Sequence, residues 1–407
     1  MVDASWIVRA GKIVTVSEMG TIDDGAMVIS HGKIMAIDAW EKIRRTFPEF
    51  RTVDYSDFVI TPSLVDCHTH LLEFAATSLY PVTNNAQFLA GKALMLRALT
   101  SGITAVGEQI CGHPDSEYKV GDYREIVKDL PIDCVFAATS ITIGLTELVR
   151  FSAVTGRRFL TDDGLKNLDL NEALATHSDY PGENLFINAT PANFTKDQVP
   201  RAGEIMYKYD ELKEIVDEFH RQGKQIGVHV AGEDGIDLTL RAGVDVLHHA
   251  HGITGEQIKR AKVQDVKIVA TPLGGTHMLP NSPGNIVDLV DAGLDVSIAT
   301  DAYLPPYPGV PWLSLRDGVL YGSEIFMILA APALRELVNK GYDENDALKL
   351  ITLNPAAIMQ RDDRYGKLAE QMDANFLVAT GVPAIDMTDV KDIKGVYYRG
   401  EKVVQRE

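Results

Sequence analysis

The feature that most constrains the fold is a series of eight short apolar runs through the middle of the chain, separated by segments with helical periodicity. Strands that are buried on both faces of a parallel sheet have this continuous apolar character. The clearest helical segment, 203–223, ends at a glycine, as many helices do. Strand and helix alternating in this way predict an α/β fold, a (β/α)8 TIM-like barrel, with a doubly wound open sheet as the alternative. The predicted strands are 58–67, 103–107, 134–140, 185–190, 225–231, 244–250, 266–272 and 294–300.

Both ends of the chain carry further short apolar runs with glycine-containing turns between them. Neither end alone has enough strands for a stable sheet. We therefore predict that the two termini pair into one small β-sandwich beside the barrel. The predicted division assigns 1–58 and 365–407 to the composite β-sandwich and 59–364 to the barrel.

Charge and cysteine content narrow the class of protein. The formal net charge of −18 argues against a nucleic-acid partner, which requires a basic surface. No apolar stretch approaches the ~18–20 residues needed to cross a bilayer, so we expect no membrane partner. Three widely spaced cysteines and an N-terminus without a signal pattern favour a cytoplasmic protein. We also expect a homo-oligomer that acts on a small molecule.

Polar residues collect where the predicted strands end, which is where barrel enzymes place their chemistry. His68 and His70 end the first strand and share a face, because successive strand residues alternate. His229 ends the fifth strand, His249 the sixth and Asp301 the eighth. Each has an ordinary explanation alone, such as a core histidine or a helix-capping aspartate. Together they would be costly to bury without a partner, and a divalent cation provides one.

These motifs resemble the amidohydrolase superfamily over essentially the whole chain. The resemblance rests on the Val-Asp-Cys-His-Thr-His motif at 65–70, the strand ends at His229 and His249, Thr300-Asp301, and the Thr-Leu-Asn-Pro-Ala-Ala motif at 352–357. Within that superfamily the segment 227–249 is most similar to the imidazolonepropionase-like branch, which includes metal-dependent dipeptidases. The resemblance implies a metal-dependent hydrolase that acts on carbon–nitrogen bonds.

One position departs from the pattern of the two-metal members of that branch. They place a carboxylated lysine at the end of the fourth strand, and here Asn188 stands at the expected position. We therefore expect one divalent metal per chain rather than two, with zinc ahead of iron, cobalt or manganese. The expected ligands are His68, His70, His229 and Asp301. If a second ion binds, His229 and His249 would hold it, and Glu108 could add a carboxylate.

The expected reaction is hydrolysis by water that the metal activates. A zinc-like ion lowers the pKa of its water to roughly 7. Asp301 is expected to act as general base and then general acid, and His249 to stabilise the developing oxyanion. The expected substrate is neutral or partly apolar, such as an amide, cyclic amide, urea, carbamate or dipeptide, because the strand-end loops hold no dense arginine cluster. Candidate substrate contacts are Asn188, Glu108, His113, His277 and Tyr303.

Two other functions are compatible with the pattern. A deaminase of a nucleobase-like ring would have glutamate three residues after His229, but Gly232 stands there and Glu233 follows it. A non-catalytic barrel used as an assembly module would not need the expected ligands, all of which are present. Ammonia release and metal content separate these alternatives from the hydrolase.

Overall fold

The strands from both ends of the chain form one sheet. The computed structural model describes residues 5–80, 82–111, 118–141, 150–152, 159–160, 162–189, 193, 197 and 201–407. Within these residues the two ends contribute to a seven-stranded sheet, which we call the terminal sheet. Its strands, in spatial order, are Glu401–Gln405, Ile393–Tyr398, Phe376–Ala379, Arg51–Pro62, Trp6–Val14, Thr21–Ser30 and Lys33–Ala39. The expected pairing of the two termini is therefore present as a sheet, while the division into two domains stays a prediction.

Each of the eight predicted central runs overlaps an observed strand, and these strands belong to two mainly parallel sheets. The strands Leu64–Thr69, Ile103–Ile110 and Asp133–Ala138 form a three-stranded parallel sheet. An eight-stranded sheet follows, and its parallel strands are Ser140–Ile141, Leu185–Phe186, Gly227–Ala231, Val246–His251, Lys267–Ala270 and Val296–Ile298. Two short antiparallel strands, Arg150–Ser152 and Phe159–Leu160, extend one edge. Asn188–Ala189 and Glu204–Ile205 make a separate antiparallel pair.

Hydrogen bonds also join the first and last parallel strands of the series. Asp301 donates its N–H to the carbonyl oxygen of His68 at 3.1 Å. His70 donates its N–H to the carbonyl oxygen of Ala302 at 3.0 Å. The carboxyl ends of the first and last strands are therefore neighbours in space.

Helices lie between the strands, and the segment predicted as 203–223 begins later than expected, at Tyr209. Gly223 follows that helix with a φ of +68°, as predicted for a glycine at a helix end.

Among the helices that the structure describes, none is both long and apolar enough to span a membrane. The α-helices are Trp40–Thr46, Ala76–Leu79, Asn84–Thr100, Val120–Val127, Asp162–Leu165, Leu168–His177, Tyr209–Arg221, Glu233–Ala242, Gly255–Val263, Pro283–Asp291, Phe326–Asn339, Glu344–Leu348 and Leu353–Ile358. Leu71–Ala75 is π-helical, and Ser323–Ile325, Lys349–Ile351 and Val390–Asp392 are 3₁₀-helical.

Candidate metal centre

Three of the predicted ligands meet where the first and last parallel strands end. His68 lies in the strand Leu64–Thr69, and His70 directly follows it on the same face. Asp301 comes three residues after the strand Val296–Ile298. Its Oδ1 lies 3.3 Å from the Nε2 atoms of both His68 and His70. The structure therefore brings these three side chains together, as the sequence predicts.

Asp66 joins the two strand ends that carry these groups. Its carboxylate accepts hydrogen bonds from the hydroxyl of Thr300 at 2.6 Å and from the Thr300 N–H at 3.2 Å. Burial raises the pKa of Asp66 to about 7, and the Thr300 hydrogen bonds oppose that rise. Because Asp66 lies two residues before His68 and Thr300 lies one before Asp301, this contact and the backbone hydrogen bond from Asp301 to His68 together hold the two ligands near each other.

Glu183 is the central group of the site, and the sequence analysis did not identify it. Its Oε1 lies 2.8 Å from Nδ1 of His229 and 2.6 Å from Nε2 of His249. Its Oε2 lies 3.4 Å from Nε2 of His68 and 3.7 Å from Nε2 of His70. One fully buried carboxylate thus faces four histidines, with one oxygen toward each pair.

A tight turn before the strand Leu185–Phe186 presents Glu183. The N–H of Glu183 donates to Oε1 of Gln109 at 2.9 Å. A side chain at Gly182 would meet Cβ of Ala137 at 2.4 Å, so only glycine fits there. The rule that ligands lie at the carboxyl ends of strands does not predict Glu183, because this residue precedes the strand Leu185–Phe186. Its position beside Pro181-Gly182 was the available signal.

The hydrogen bonds of His249 aim a lone pair at the Glu183 carboxylate. The Thr271 hydroxyl donates its proton to the carbonyl oxygen of Gly274 at 2.6 Å, so it accepts from Nδ1–H of His249 at 2.7 Å. The Nε2 atom of His249 then carries a lone pair, and it lies against an oxygen of Glu183. Two acceptors at this separation repel unless a proton or a metal ion lies between them.

The charges of the buried carboxylates also favour a bound cation in the site. Burial lowers the pKa of His68, but Glu183 and Asp301 outweigh that effect and raise it to about 10. Burial raises the pKa of Glu183, but His68, His229 and His249 hold it well below its usual range. The carboxylates therefore attract positive charge to the place where the histidine nitrogens converge.

The donor atoms fit a divalent metal ion. Among the described residues, two groups have ligand atoms within 4.8 Å of one another, and they share His68. One group is His68, His70 and Asp301, and the other is His68, Glu183 and His249. Imidazole nitrogen and carboxylate oxygen are donors that zinc prefers. His229 lies beside the second group through its contact with Glu183.

The remaining predicted site residues do not join this cluster. Glu108 is fully buried and accepts from the Thr69 hydroxyl and the Leu72 N–H, both at 2.6 Å. Asn188 accepts from the Ala231 N–H at 2.7 Å and donates to the Gly203 carbonyl at 3.2 Å. Both side chains are therefore engaged by neighbouring protein groups. Their predicted roles as a metal ligand or substrate contact stay without support.

The structure describes two of the other three candidates, Tyr303 and His277. The hydroxyl of Tyr303 donates to Glu324 at 3.1 Å. The ring of His277 lies close to Gly203, where an added Cβ would meet its Nε2 at 2.5 Å. His113 lies outside the described residues.

Comparison with known proteins places the chain in a family. The model of the amidohydrolase family matches residues 59–403. Among curated proteins, the imidazolonepropionase of Pyrobaculum arsenaticum is 42% identical over 74 residues, which is 16% of this chain and 19% of that protein. The imidazolonepropionase of Brucella anthropi is 33% identical over 72 residues, 17% of this chain and 18% of that protein. The chain thus matches about a fifth of the length of these curated relatives.

Solved structures share the fold over nearly the whole chain. A molinate hydrolase superposes with a TM-score of 0.72 at 16% identity, covering 98% of this chain and 95% of that one. An Xaa-Pro dipeptidase with bound methionine gives a TM-score of 0.71 at 16% identity, covering 98% and 99%. The family match covers most of the sequence and includes all the residues of the cluster, which confirms the resemblance drawn from the motifs. This chain belongs to the amidohydrolase family.

Proposed function

We propose that this protein is a metal-dependent hydrolase that cleaves a carbon–nitrogen bond with water. The observation that carries the proposal is the Glu183 carboxylate among four histidines, opposite Asp301. Membership of the amidohydrolase family supports it.

We propose that the parallel strands close into a TIM-like barrel, with the terminal sheet belonging to a second domain built from 1–58 and 365–407. The hydrogen bonds between the His68 and Asp301 backbones support closure, since they join the two ends of the strand series. The strand Arg51–Pro62 pairs with other strands of the terminal sheet and continues past residue 58. The proposed boundary between the two domains therefore falls within one continuous strand.

The geometry bears on the number of ions. The expectation of one ion rested on Asn188, which cannot supply a bridging carboxylate. Glu183 offers one, with separate oxygens toward the His68–His70 pair and the His229–His249 pair. We therefore propose that the site would hold two zinc ions, with the His68–His70 pair available to one, the His229–His249 pair to the other, and the Glu183 carboxylate to both.

In the proposed reaction, Asp301 moves the proton. A bound divalent cation would acidify water and polarise the scissile carbonyl. Burial raises the pKa of Asp301, but hydrogen bonds and charge from the histidines lower it below its usual range, so the group is ionised. Asp301 can then accept a proton from the attacking water and deliver it to the leaving nitrogen. Since both ring nitrogens of His249 are engaged, it is better placed to hold a metal ion than to polarise the carbonyl.

The proposed substrate is a small neutral or partly apolar amide, cyclic amide, urea, carbamate or dipeptide. The names of structural neighbours, which include molinate hydrolase, an Xaa-Pro dipeptidase and ochratoxinase, support a test of this range. A hydrolysis screen of the zinc-loaded protein over these classes, with ammonia and amine release both measured, tests the reaction type. Ammonia release from a nucleobase-like ring, without amide hydrolysis, would favour the deaminase.

Metal counting tests the site independently of the substrate. We expect about two zinc ions per chain after reloading and dialysis, and fewer in Glu183→Gln. Glu108→Gln is the matched control, because Glu108 is an equally buried glutamate that contacts Thr69 and Leu72 instead of the histidines. A parent protein that holds no metal, or a Glu183→Gln variant with the parent's full metal content, would contradict the proposal.

A further inference from the structure

His248 is a buried histidine outside the proposed ligand set, and it contacts one of the ligands directly. It precedes His249 on the strand Val246–His251 and is fully buried. Its Nδ1 lies 2.9 Å from Nδ1 of His68, and its Nε2 lies 3.1 Å from the carbonyl oxygen of Pro181. The two rings meet edge to face at 4.9 Å between centroids.

The direction of these two hydrogen bonds follows from the carbonyl. The Pro181 oxygen can only accept, so Nε2 of His248 carries the proton and donates it. A neutral His248 then has a lone pair on Nδ1, which accepts from Nδ1–H of His68. The reverse arrangement would set the lone pair of His248 Nε2 against the Pro181 oxygen at 3.1 Å.

The consequence for His68 is that its second nitrogen is directed into the site. With Nδ1 donating to His248, the Nε2 atom of His68 is the one left for an ion. That atom lies 3.3 Å from Asp301 and 3.4 Å from Glu183, and it makes no hydrogen bond that satisfies it.

The Pro181 carbonyl, which ends this series of hydrogen bonds, belongs to the turn that carries Glu183. Pro181 lies two residues before Glu183, and the hydroxyl of Tyr180 donates to the carbonyl oxygen of Cys67 at 3.1 Å. The turn therefore contacts the His68 strand both through the Tyr180 hydroxyl and through His248. Movement of the turn would disturb the Glu183 carboxylate and the His68 ring together.

We infer that His248 is a positioning residue that holds His68 as the Nδ1–H tautomer and couples it to the Glu183 turn; this rests on the metal site of the proposed function. Metal-binding histidines commonly donate their other nitrogen to a carboxylate, a carbonyl or water. A carboxylate in place of His248 would add negative charge beside Glu183 and Asp301. A neutral histidine transmits the hydrogen bond to a carbonyl without adding charge.

Two substitutions at this position separate positioning from packing. His248→Phe keeps a ring but removes the acceptor, and we expect the zinc affinity of the site to fall about 10–100-fold. His248→Asn can place an amide oxygen near Nδ1 and should recover most of that loss. Tyr180→Phe is the control, because it removes the hydrogen bonds that the Tyr180 hydroxyl, on the same turn, makes with the Cys67 carbonyl and with Gln109, and leaves the His248 contacts intact. Affinity is measured by competition with a chromophoric chelator, and melting of the metal-free forms reports packing.

Histidine NMR on the ¹⁵N-labelled parent protein tests the tautomer without any substitution. We expect His248 to carry its proton on Nε2 in both the metal-free and the zinc-loaded protein, and loaded His68 to carry its proton on Nδ1. A His248 proton on Nδ1, or a folded His248→Phe variant with the zinc affinity of the parent, overturns the inference. A parent that binds no zinc while His248 shows the expected tautomer overturns the proposed metal site instead.

Discussion

The histidines of the site differ in what holds their rings in place. His249 is held by the Thr271 hydroxyl, which in turn donates to the Gly274 carbonyl. His229 is held by ring stacking, since Phe186 lies 4.3 Å from it with an angle of 13° between the planes. A side chain at Gly275 would meet Cε1 of His249 at 2.3 Å, so the backbone itself closes over this ring. Neighbouring protein groups therefore fix the ring orientations of His249 and His229.

Replacement of Asp301 by asparagine tests its role as the proton carrier. We expect Asp301→Asn to retain some zinc, because the histidines remain, and to lose turnover by at least about 10²–10⁴-fold. Asparagine can offer a carbonyl oxygen to the ion, but it cannot accept the proton of water. Turnover is measured with zinc in excess, on the substrate found by the screen. Activity within about threefold of the parent would show that Asp301 does not carry the proton in the reaction.

The charge of His68 gives the metal-free protein a specific pH dependence. Burial lowers its pKa, but Glu183 and Asp301 raise it to about 10 from the ordinary histidine value of 6.5. A pKa raised on folding means stabilisation that is complete below pH 6.5 and is lost as the pH rises through 10. The difference in free energy of unfolding between the parent and His68→Gln, both stripped with EDTA, should therefore narrow over that interval. Denaturant titrations at several pH values measure it, and a constant difference would contradict the assigned charge.

At the residue scale, the sequence pointed to side chains that the structure brings together where the strand ends held the signal. His68, His70 and Asp301 could be found because alternation and the carboxyl-end rule apply to them directly. Glu183 could not, because it acts from the amino end of a short strand through the length of its side chain. The role of Glu108 was equally hidden, since only the tertiary structure shows that Thr69 and Leu72 occupy it.

At the scale of elements, the strands determine where the ligands lie relative to one another. The run predicted as a single strand, 58–67, is divided at Ser63 between the terminal sheet and the parallel sheet. Its apolar character is continuous, so periodicity could not show that its two halves have different neighbours. The helix predicted from 203 begins at Tyr209, because Glu204–Ile205 pairs with Asn188–Ala189 instead. Tertiary pairing decides both boundaries.

The Asp66 contact is the element-level feature whose loss is easiest to measure. In Asp66→Ala the hydroxyl and N–H of Thr300 lose their acceptor inside the protein, which should lower the free energy of unfolding by about 1–3 kcal/mol. Zinc affinity should fall as well, since the strand ends with His68 and Asp301 keep their backbone hydrogen bonds but lose the side-chain contact between them. Thr300→Val removes only the hydroxyl bond and should have a smaller effect on both. Denaturation of the metal-free protein and chelator competition test this, and unchanged values in Asp66→Ala would contradict it.

At the scale of the whole molecule, C-terminal strands of the terminal sheet pack against parallel strands that lie near the start of the sequence. Gly102, at the start of the strand Ile103–Ile110, lies so close to Leu377 and Ile393 that a Cβ there would meet their side chains at 3.0–3.1 Å. Ser63 donates its N–H to the Asn375 carbonyl at 3.2 Å. The last strands of the chain therefore support the strand that carries His68, although more than three hundred residues separate them.

This arrangement predicts that the C-terminal strands are required for the stability of the whole protein. The strand Phe376–Ala379 lies between Arg51–Pro62 and Ile393–Tyr398, and all four of its residues are buried. Removal of 375–407 strips Phe376, Leu377 and Val378, whose burial is worth about 1.5–3 kcal/mol each, and exposes the edge of Arg51–Pro62. Since the net stability of a protein is only about 5–15 kcal/mol, we expect aggregation or a large fall in melting temperature.

A shorter truncation provides the control for that experiment. Removal of 401–407 deletes only the outer strand Glu401–Gln405, whose residues are exposed or half-buried and pair with one neighbour. Its melting temperature should change little, because the buried strand Phe376–Ala379 and its partners remain. Both truncated chains are compared with the parent by thermal melting and by size-exclusion chromatography. A chain lacking 375–407 that stays monodisperse and melts with the parent would show that the central strands do not depend on the terminal sheet, and the two would then be independent units.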